Sequence, residues 1–378
     1  MRRPPRCLRA SRPRAPRVKR PRLAPGLALA AAALLGSAPA SRASEPRPRA
    51  LVIGLDGTRG DLLERAIADA AIAPALRRLA RAGRFAACPE PAASSCARAH
   101  AGPAAGAGFQ WVTGTGWASV LTGVGNARHG LRDNEPGSLA VFCESSRVHP
   151  SFLALARAAG LATAAGGTAA FVSSAYGAQQ QAGVLDYECG CRGERPALDA
   201  GARTSCNASE RLSLDGRAAD RDARLAAWLL ARVSEPDASV VMGVFDRIDE
   251  AGHRHGFGIG EETLAAVAAT DRLLAPILAA LEQRAASAGE RWLVVVAADH
   301  GGHDALFGRG AHDTRAGLDD AVPFGVARFE PGSAGAPSPA RPRELVAPVR
   351  QMDVHPTVLH WLGLPVAAEL DGRVQGLP

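Results

Sequence analysis

Three short runs of consecutive apolar residues punctuate the chain, and each stops at an aspartate. Ala50-Leu-Val-Ile-Gly-Leu55 runs into Asp56. Ser239-Val-Val-Met-Gly-Val-Phe245 runs into Asp246, with Asp249 three residues on, and Trp292-Leu-Val-Val-Val-Ala-Ala298 runs into Asp299. Unbroken apolar runs of this length predict strands covered on both faces, as in a parallel sheet. Helical patterns lie between them, over Arg221 to Arg232 and Glu261 to Arg284. Strands alternating with helices predict an α/β fold: a mainly parallel central sheet with helices on both faces. Ligands of such sheets bind beyond the carboxyl ends of the strands, where these aspartates fall. A single aspartate there is an ordinary helix cap. Three of them, two followed closely by histidine, point instead to metal or phosphate chemistry.

The pattern changes in residues 134–220, which hold four cysteines and Gly/Ala-rich stretches such as Ala164-Ala-Gly-Gly-Thr168. This region reads as an elaborated insertion beside the site, from about 134 to 220 and built partly of sheet elements. Pro331–Arg343, rich in Pro, Gly, Ala and Ser, reads as a surface loop.

Composition and charge alter this picture mainly at the N-terminus. With 378 residues and 47% hydrophobic residues, the chain has material for a sizeable core. The formal net charge of +7 suggests a nucleic-acid partner. Residues 1–43, however, contain eleven Lys/Arg and no acid, and removing those eleven charges leaves −4 for the remainder. The basic character belongs to the leader, so nucleic-acid binding is discarded. That leader reads as a signal peptide over 1–43: a cationic stretch, the apolar run Leu27–Leu35, then small-residue cleavage sites after Ala40 or Ala43. The run is too short for a spanning helix, which needs roughly 20 residues. No later segment is expected to cross a membrane. Residues 44–378 are then one exported catalytic domain, periplasmic or secreted. Its six cysteines (Cys88, Cys96, Cys143, Cys189, Cys191 and Cys206) predict three disulfides, with fifteen possible pairings.

The candidate chemistry collects around histidine and aspartate. Asp249-Glu-Ala-Gly-His253 sets a carboxylate and an imidazole one helical turn apart. Asp299-His300 follows a strand directly, and His312 stands in Arg309-Gly-Ala-His-Asp313. Mixed Asp/His sets suit zinc, or manganese where oxygen ligands predominate. Two such ions roughly 4 Å apart activate a nucleophile and stabilise a leaving oxygen. Spacing alone leaves Asp246 open as an alternative to Asp249, and His255 or His303 as alternatives to His253 or His312.

Taken together, these segments resemble the type I phosphodiesterase/nucleotide pyrophosphatase branch of the alkaline phosphatase superfamily. The first strand ending in Asp56, Asp249-x-x-Gly252-His253, Asp299-His300-Gly301 and a last histidine before Val322-Pro-Phe-Gly-Val326 occur in the family's order. The closing Met352-Asp-Val-His-Pro-Thr-Val-Leu segment resembles its C-terminal helix. The resemblance implies an alkaline phosphatase-like fold with a disulfide-bearing insertion. It implies one metal on Asp249, His253 and His312, and a second on Asp56, Thr113, Asp299 and His300.

The nucleophile follows from the same resemblance. Family members place it nine residues before a Thr-Gly pair on the following helix. Counting back from Thr122-Gly123 reaches Thr113, with Thr115 as the close competitor. A metal lowers the hydroxyl's pKa, and a helix N-terminus offers N–H groups to the phosphate. Sulfatases share the spacing but need a Cys or Ser convertible to formylglycine, so sulfatase activity is disfavoured. Nucleotide pyrophosphatases commonly carry an Asn three residues after the nucleophile, where this chain has Gly116 followed by Trp117. Gly116, Trp117 and Asn134 are the candidate substrate-binding residues. The expected activity is two-metal hydrolysis of phosphodiester or pyrophosphate bonds in a small-molecule ester, through a phospho-threonine. Alternatives are a phosphomonoesterase and a non-catalytic exported binding protein of the same fold.

Overall fold

A computed structural model describes residues 48–99, 110–134, 148–167, 218–313, 316–331 and 342–378. The leader, the tail loop at 332–341 and Cys143, Cys189, Cys191 and Cys206 lie outside the described residues. All the described residues belong to one compact unit, Glu45–Pro378.

The first element is strand β1 (Pro48–Leu55), followed by helices α1 (Gly60–Ala68) and α2 (Pro74–Ala82). Two short strands, β2 (Arg84–Phe85) and β3 (Ala97–Arg98), lead towards helices α3 (Thr113–Thr122) and α4 (Asn126–His129). Then come α5 (Phe152–Ala158), β4 (Ala162–Gly167), α6 (Ala218–Val233), β5 (Ala238–Phe245) and α7 (Arg247–His255). The long α8 (Glu261–Ala288) precedes β6 (Arg291–Ala297). A small hairpin follows, β7 (His303–Asp304) with β8 (Gly310–Ala311), then β9 (Ala321–Val322), β10 (Phe324–Phe329) and α9 (Val354–Trp361).

Six strands form the main sheet in the order β2-β10-β6-β1-β5-β4. β6, β1, β5 and β4 run parallel, while β10 pairs antiparallel with β6 and β2 antiparallel with β10. Alternation along each strand builds two cores. Val52, Val240, Met242 and Val295 face one side, against Trp117 of α3, Phe152 of α5 and Val358 of α9. Leu51, Ile53, Val241 and Val294 face the other, against Leu63 of α1, Leu76 of α2, Leu229 of α6 and Leu278 of α8. Each such fully buried aliphatic side chain contributes on the order of 2 kcal/mol. The predicted sheet with helices on both faces is therefore present.

Three expectations need comment. Residues 148–167 fall within the span assigned to an insertion, yet α5 packs on the core and β4 pairs in parallel with β5 as a strand of the main sheet. Ala164-Ala-Gly-Gly carries no strong strand propensity; burial beside β5 decides its conformation. Of the three disulfides expected, Cys88–Cys96 is formed. Finally, α8 is long and apolar enough to cross a membrane by length and composition, contrary to the expectation that no later segment would be. Its residues Leu274, Ile277, Leu278 and Leu281 are buried in the core.

Candidate metal centre

The carboxyl edge of the parallel strands gathers the predicted residues from five places in the chain. Asp56 follows β1, Asp299 and His300 follow β6, and His312 follows β8. Asp249 and His253 lie one turn apart on α7, which begins directly after β5, and their Oδ2 and Nε2 atoms are 3.3 Å apart. Thr113 is the first residue of α3.

Two overlapping groups result. His300 Nε2 lies 3.6 Å from Asp56 Oδ1, 3.4 Å from Asp299 Oδ2 and 3.5 Å from Thr113 Oγ1. His253 Nε2 lies 3.2 Å from His312 Nε2. The groups adjoin, because the His300 and His312 rings stack 3.9 Å apart. Asp56, Asp299 and His300 offer one atom each within 4.8 Å of one another, and so do Asp249, His300 and His312.

The three imidazoles are oriented alike. His300 Nδ1 faces the Gly301 carbonyl at 2.8 Å, His312 Nδ1 the Trp111 carbonyl at 2.9 Å, and His253 Nδ1 the Gly310 carbonyl at 3.4 Å. A carbonyl accepts only, so in His300 and His312 Nδ1 carries the proton and Nε2 keeps its lone pair toward the centre, whereas His253 Nε2 faces the Asp249 carboxylate, itself an acceptor. Burial pushes His300 down to about 4 and His312 down to about 3, keeping both neutral as metal ligands must be. The hydrogen bond to Asp249 raises His253.

The carboxylates show what the centre lacks by itself. Burial, then repulsion by neighbouring carboxylates, raises Asp56 and Asp299 well above the usual range. Among the described residues, the buried atoms Asp56 Oδ1, Asp249 Oδ1 and Asp299 Oδ2 have no hydrogen-bond partner. Buried anionic oxygens without donors are costly, and divalent cations are the partners that three carboxylates and three imidazoles fit.

Near the nucleophile candidates the two threonines part. Thr115 Oγ1 is committed to the backbone, donating to the Gln110 carbonyl at 2.6 Å and accepting from Val112 N–H at 3.3 Å. Thr113 Oγ1 faces His300. Gly116 does not line an open cleft: a Cβ there would stand 2.4 Å from the Asp299 carbonyl oxygen. Trp117, expected beside substrate, is fully buried, and its indole Nε1 donates to Asp56 Oδ2 at 3.1 Å. It stands behind a candidate ligand, a role that its bulk and apolar character concealed in the sequence. Asn134 Oδ1 accepts from Gly114 N–H at 2.9 Å, at the start of α3. Gly57 has φ +63°, and a Cβ there would strike Asp249 Oδ1, so only glycine allows β1 to approach α7.

The open alternatives also find places. His303 is buried against Asp319, with Nδ1 2.7 Å from Oδ1, and His255 lies exposed at the end of α7. Asp246 offers an oxygen near Asp56 and Asp249 but pairs with Arg221.

The sequence pattern of the family described as type I phosphodiesterase / nucleotide pyrophosphatase matches residues 50–324. Among solved structures, the fold is similar to a putative sulfatase from Bacteroides thetaiotaomicron VPI-5482, at 14% identity over 88% of this chain and 74% of that one, with a TM-score of 0.56. It is similar to a protein of the alkaline phosphatase superfamily from Vibrio parahaemolyticus, at 15% identity, 87% and 69% coverage and a TM-score of 0.53. Murine ectonucleotide pyrophosphatase/phosphodiesterase 5 aligns at 12% identity, 84% and 96% coverage and a TM-score of 0.52. At these identities the likeness is one of fold. The chain spans 57% of the length of the phosphonoacetate hydrolase from Sinorhizobium meliloti 1021, with which it also aligns. No curated protein matches the chain in sequence.

Proposed function

Because the chain belongs to the type I phosphodiesterase/nucleotide pyrophosphatase family, we propose that it hydrolyses phosphodiester or pyrophosphate bonds with two bound metal ions and Thr113 as nucleophile. The observation that carries this reading is the meeting of the Thr113 hydroxyl, three imidazole Nε2 atoms and three carboxylate oxygens that have no hydrogen-bond partner among the described residues.

In this reading Asp249, His253 and His312 hold one ion, and Asp56, Asp299, His300 and Thr113 hold the other. The ions, when bound, lower the pKa of the Thr113 hydroxyl and neutralise charge on the phosphoryl oxygens. Three imidazoles in the set favour zinc, and the carboxylates leave manganese as the second choice. Thr113 Oγ1 loses its proton to solvent and attacks phosphorus, while the bond to the leaving oxygen breaks with its electron pair. Water then attacks the same phosphorus and frees the threonine oxygen. Thr113 begins α3, so the phosphate approaches a helix N-terminus. Asn134 spends its carbonyl on Gly114 N–H, which leaves its amide N–H groups for a phosphate oxygen.

The test is turnover of a generic aryl phosphodiester and the matching monoester by zinc-loaded protein, with Thr113→Ala as control. Preference for the diester, abolished in Thr113→Ala with both metals still bound, is the expected result. Full activity in that variant removes Thr113 from the mechanism, and preference for the monoester overturns the substrate class.

A further inference from the structure

Helix α7 carries two of the proposed ligands, so its position fixes how one ion is held. Its own cap is unusual. Asp246 stands at the N-cap, yet its side chain makes no capping hydrogen bond. That carboxylate is turned to the guanidinium of Arg221. Asp222, the next residue on α6 and fully buried, takes over the cap: it accepts from Asp246 N–H at 3.0 Å and from Arg247 N–H at 3.1 Å. A short connection joins α6 to β5, so the chain reverses and the beginning of α6 reaches the end of β5 where α7 starts.

From this we infer that Arg221 and Asp222 are positioning residues for the metal site on α7, a reading that rests on the two-metal proposal above. Asp222 fixes the backbone at the start of the helix. Arg221 holds Asp246 to one side; otherwise that carboxylate, already within reach of Asp56 and Asp249, competes for the same cation. With both in place, Asp249 and His253 project from a fixed helix towards His312. Outer-shell partners of this kind set ligand orientation and hence metal affinity.

The experiment is a zinc titration of the metal-stripped full chain against a chromophoric chelator, with circular dichroism as the folding control. Wild type, Asp222→Ala, Asp222→Asn and Arg221→Gln are compared, and His253→Ala identifies the zinc equivalent that depends on α7. Wild type is expected to bind two equivalents. Asp222→Ala is expected to weaken the His253-dependent one by about 10- to 100-fold and leave the other within about threefold. Asp222→Asn, which keeps one acceptor, is expected to lie between. A merely structural role weakens both equivalents together or neither, and either result overturns the inference. Should Asp222→Ala fail to fold, Asp222→Asn and Arg221→Gln carry the test, with the same one-site selectivity required. A wild-type chain that binds no zinc sinks the two-metal proposal itself, and this inference with it.

Discussion

At the scale of single residues, the candidate ligands are held from behind by an indole and by backbone carbonyls. Trp117 is an example: its indole N–H is the one donor to Asp56 in the described structure, and the ring fills the space beside Gly54. Trp117→Phe keeps most of the volume and removes the donor. A hydrogen bond to a charged group is worth about 1.5–3 kcal/mol, so under the two-metal proposal zinc affinity at Asp56 should fall roughly ten- to a hundredfold. A chelator titration of the variant checks this, and unchanged affinity would show that Asp56 needs no such support. The three imidazoles teach the same lesson, since a backbone carbonyl fixes each one. That Asp56, Asp249, His253, Asp299, His300 and His312 come together was readable from the resemblance. Their supporting groups were not, because a carbonyl has no residue identity and a buried tryptophan reads as core.

At the scale of elements, apolar runs ending in aspartate translated directly into β1, β5 and β6, because strands buried on both faces commonly read as unbroken apolar runs. β4 escaped notice, since Ala and Gly say little until a neighbouring strand is in place. The segment between β2 and β3 is held differently, by the Cys88–Cys96 disulfide. Cys88 is buried and packs at the first residue of α1, where a Cβ on Gly60 would stand 2.7 Å from its sulfur. Closing so short a loop is worth about 2.5 kcal/mol in the chain-entropy account. The double variant Cys88→Ser/Cys96→Ser should therefore lower Tm by a few degrees. It should retain turnover below that temperature, as neither cysteine belongs to the groups gathered at the candidate metal centre. Thermal unfolding with and without reductant measures it: a reductant shift is expected in wild type and none in the variant.

At the scale of the whole molecule, stability should depend on pH through a histidine remote from the site. His355 on α9 is buried, donates from Nδ1 to the Leu121 carbonyl of α3, and is pushed down to about 4 by that burial. The unfolded chain binds this proton near pH 6.5 and the folded chain only near 4, so stability is lost as pH falls through that window. The loss amounts to about 3 kcal/mol at its lower end. His355→Asn, which keeps a donor but cannot charge, should flatten the acid limb of a denaturant-unfolding series between pH 6.5 and 4. An unchanged limb assigns the acid sensitivity to other groups. The parallel order β6-β1-β5-β4 was not legible in the sequence, because the pairing of distant strands leaves no local mark. That order has a consequence in time. Asp56 lies near the start of the folded unit, and His312 is joined only after β6 and the β7–β8 hairpin have been made. Strands so distant in sequence pair slowly, each closing a long loop first. A growing polypeptide therefore holds scattered carboxylates and imidazoles long before it holds a centre. The candidate centre is complete only once the chain has grown past His312.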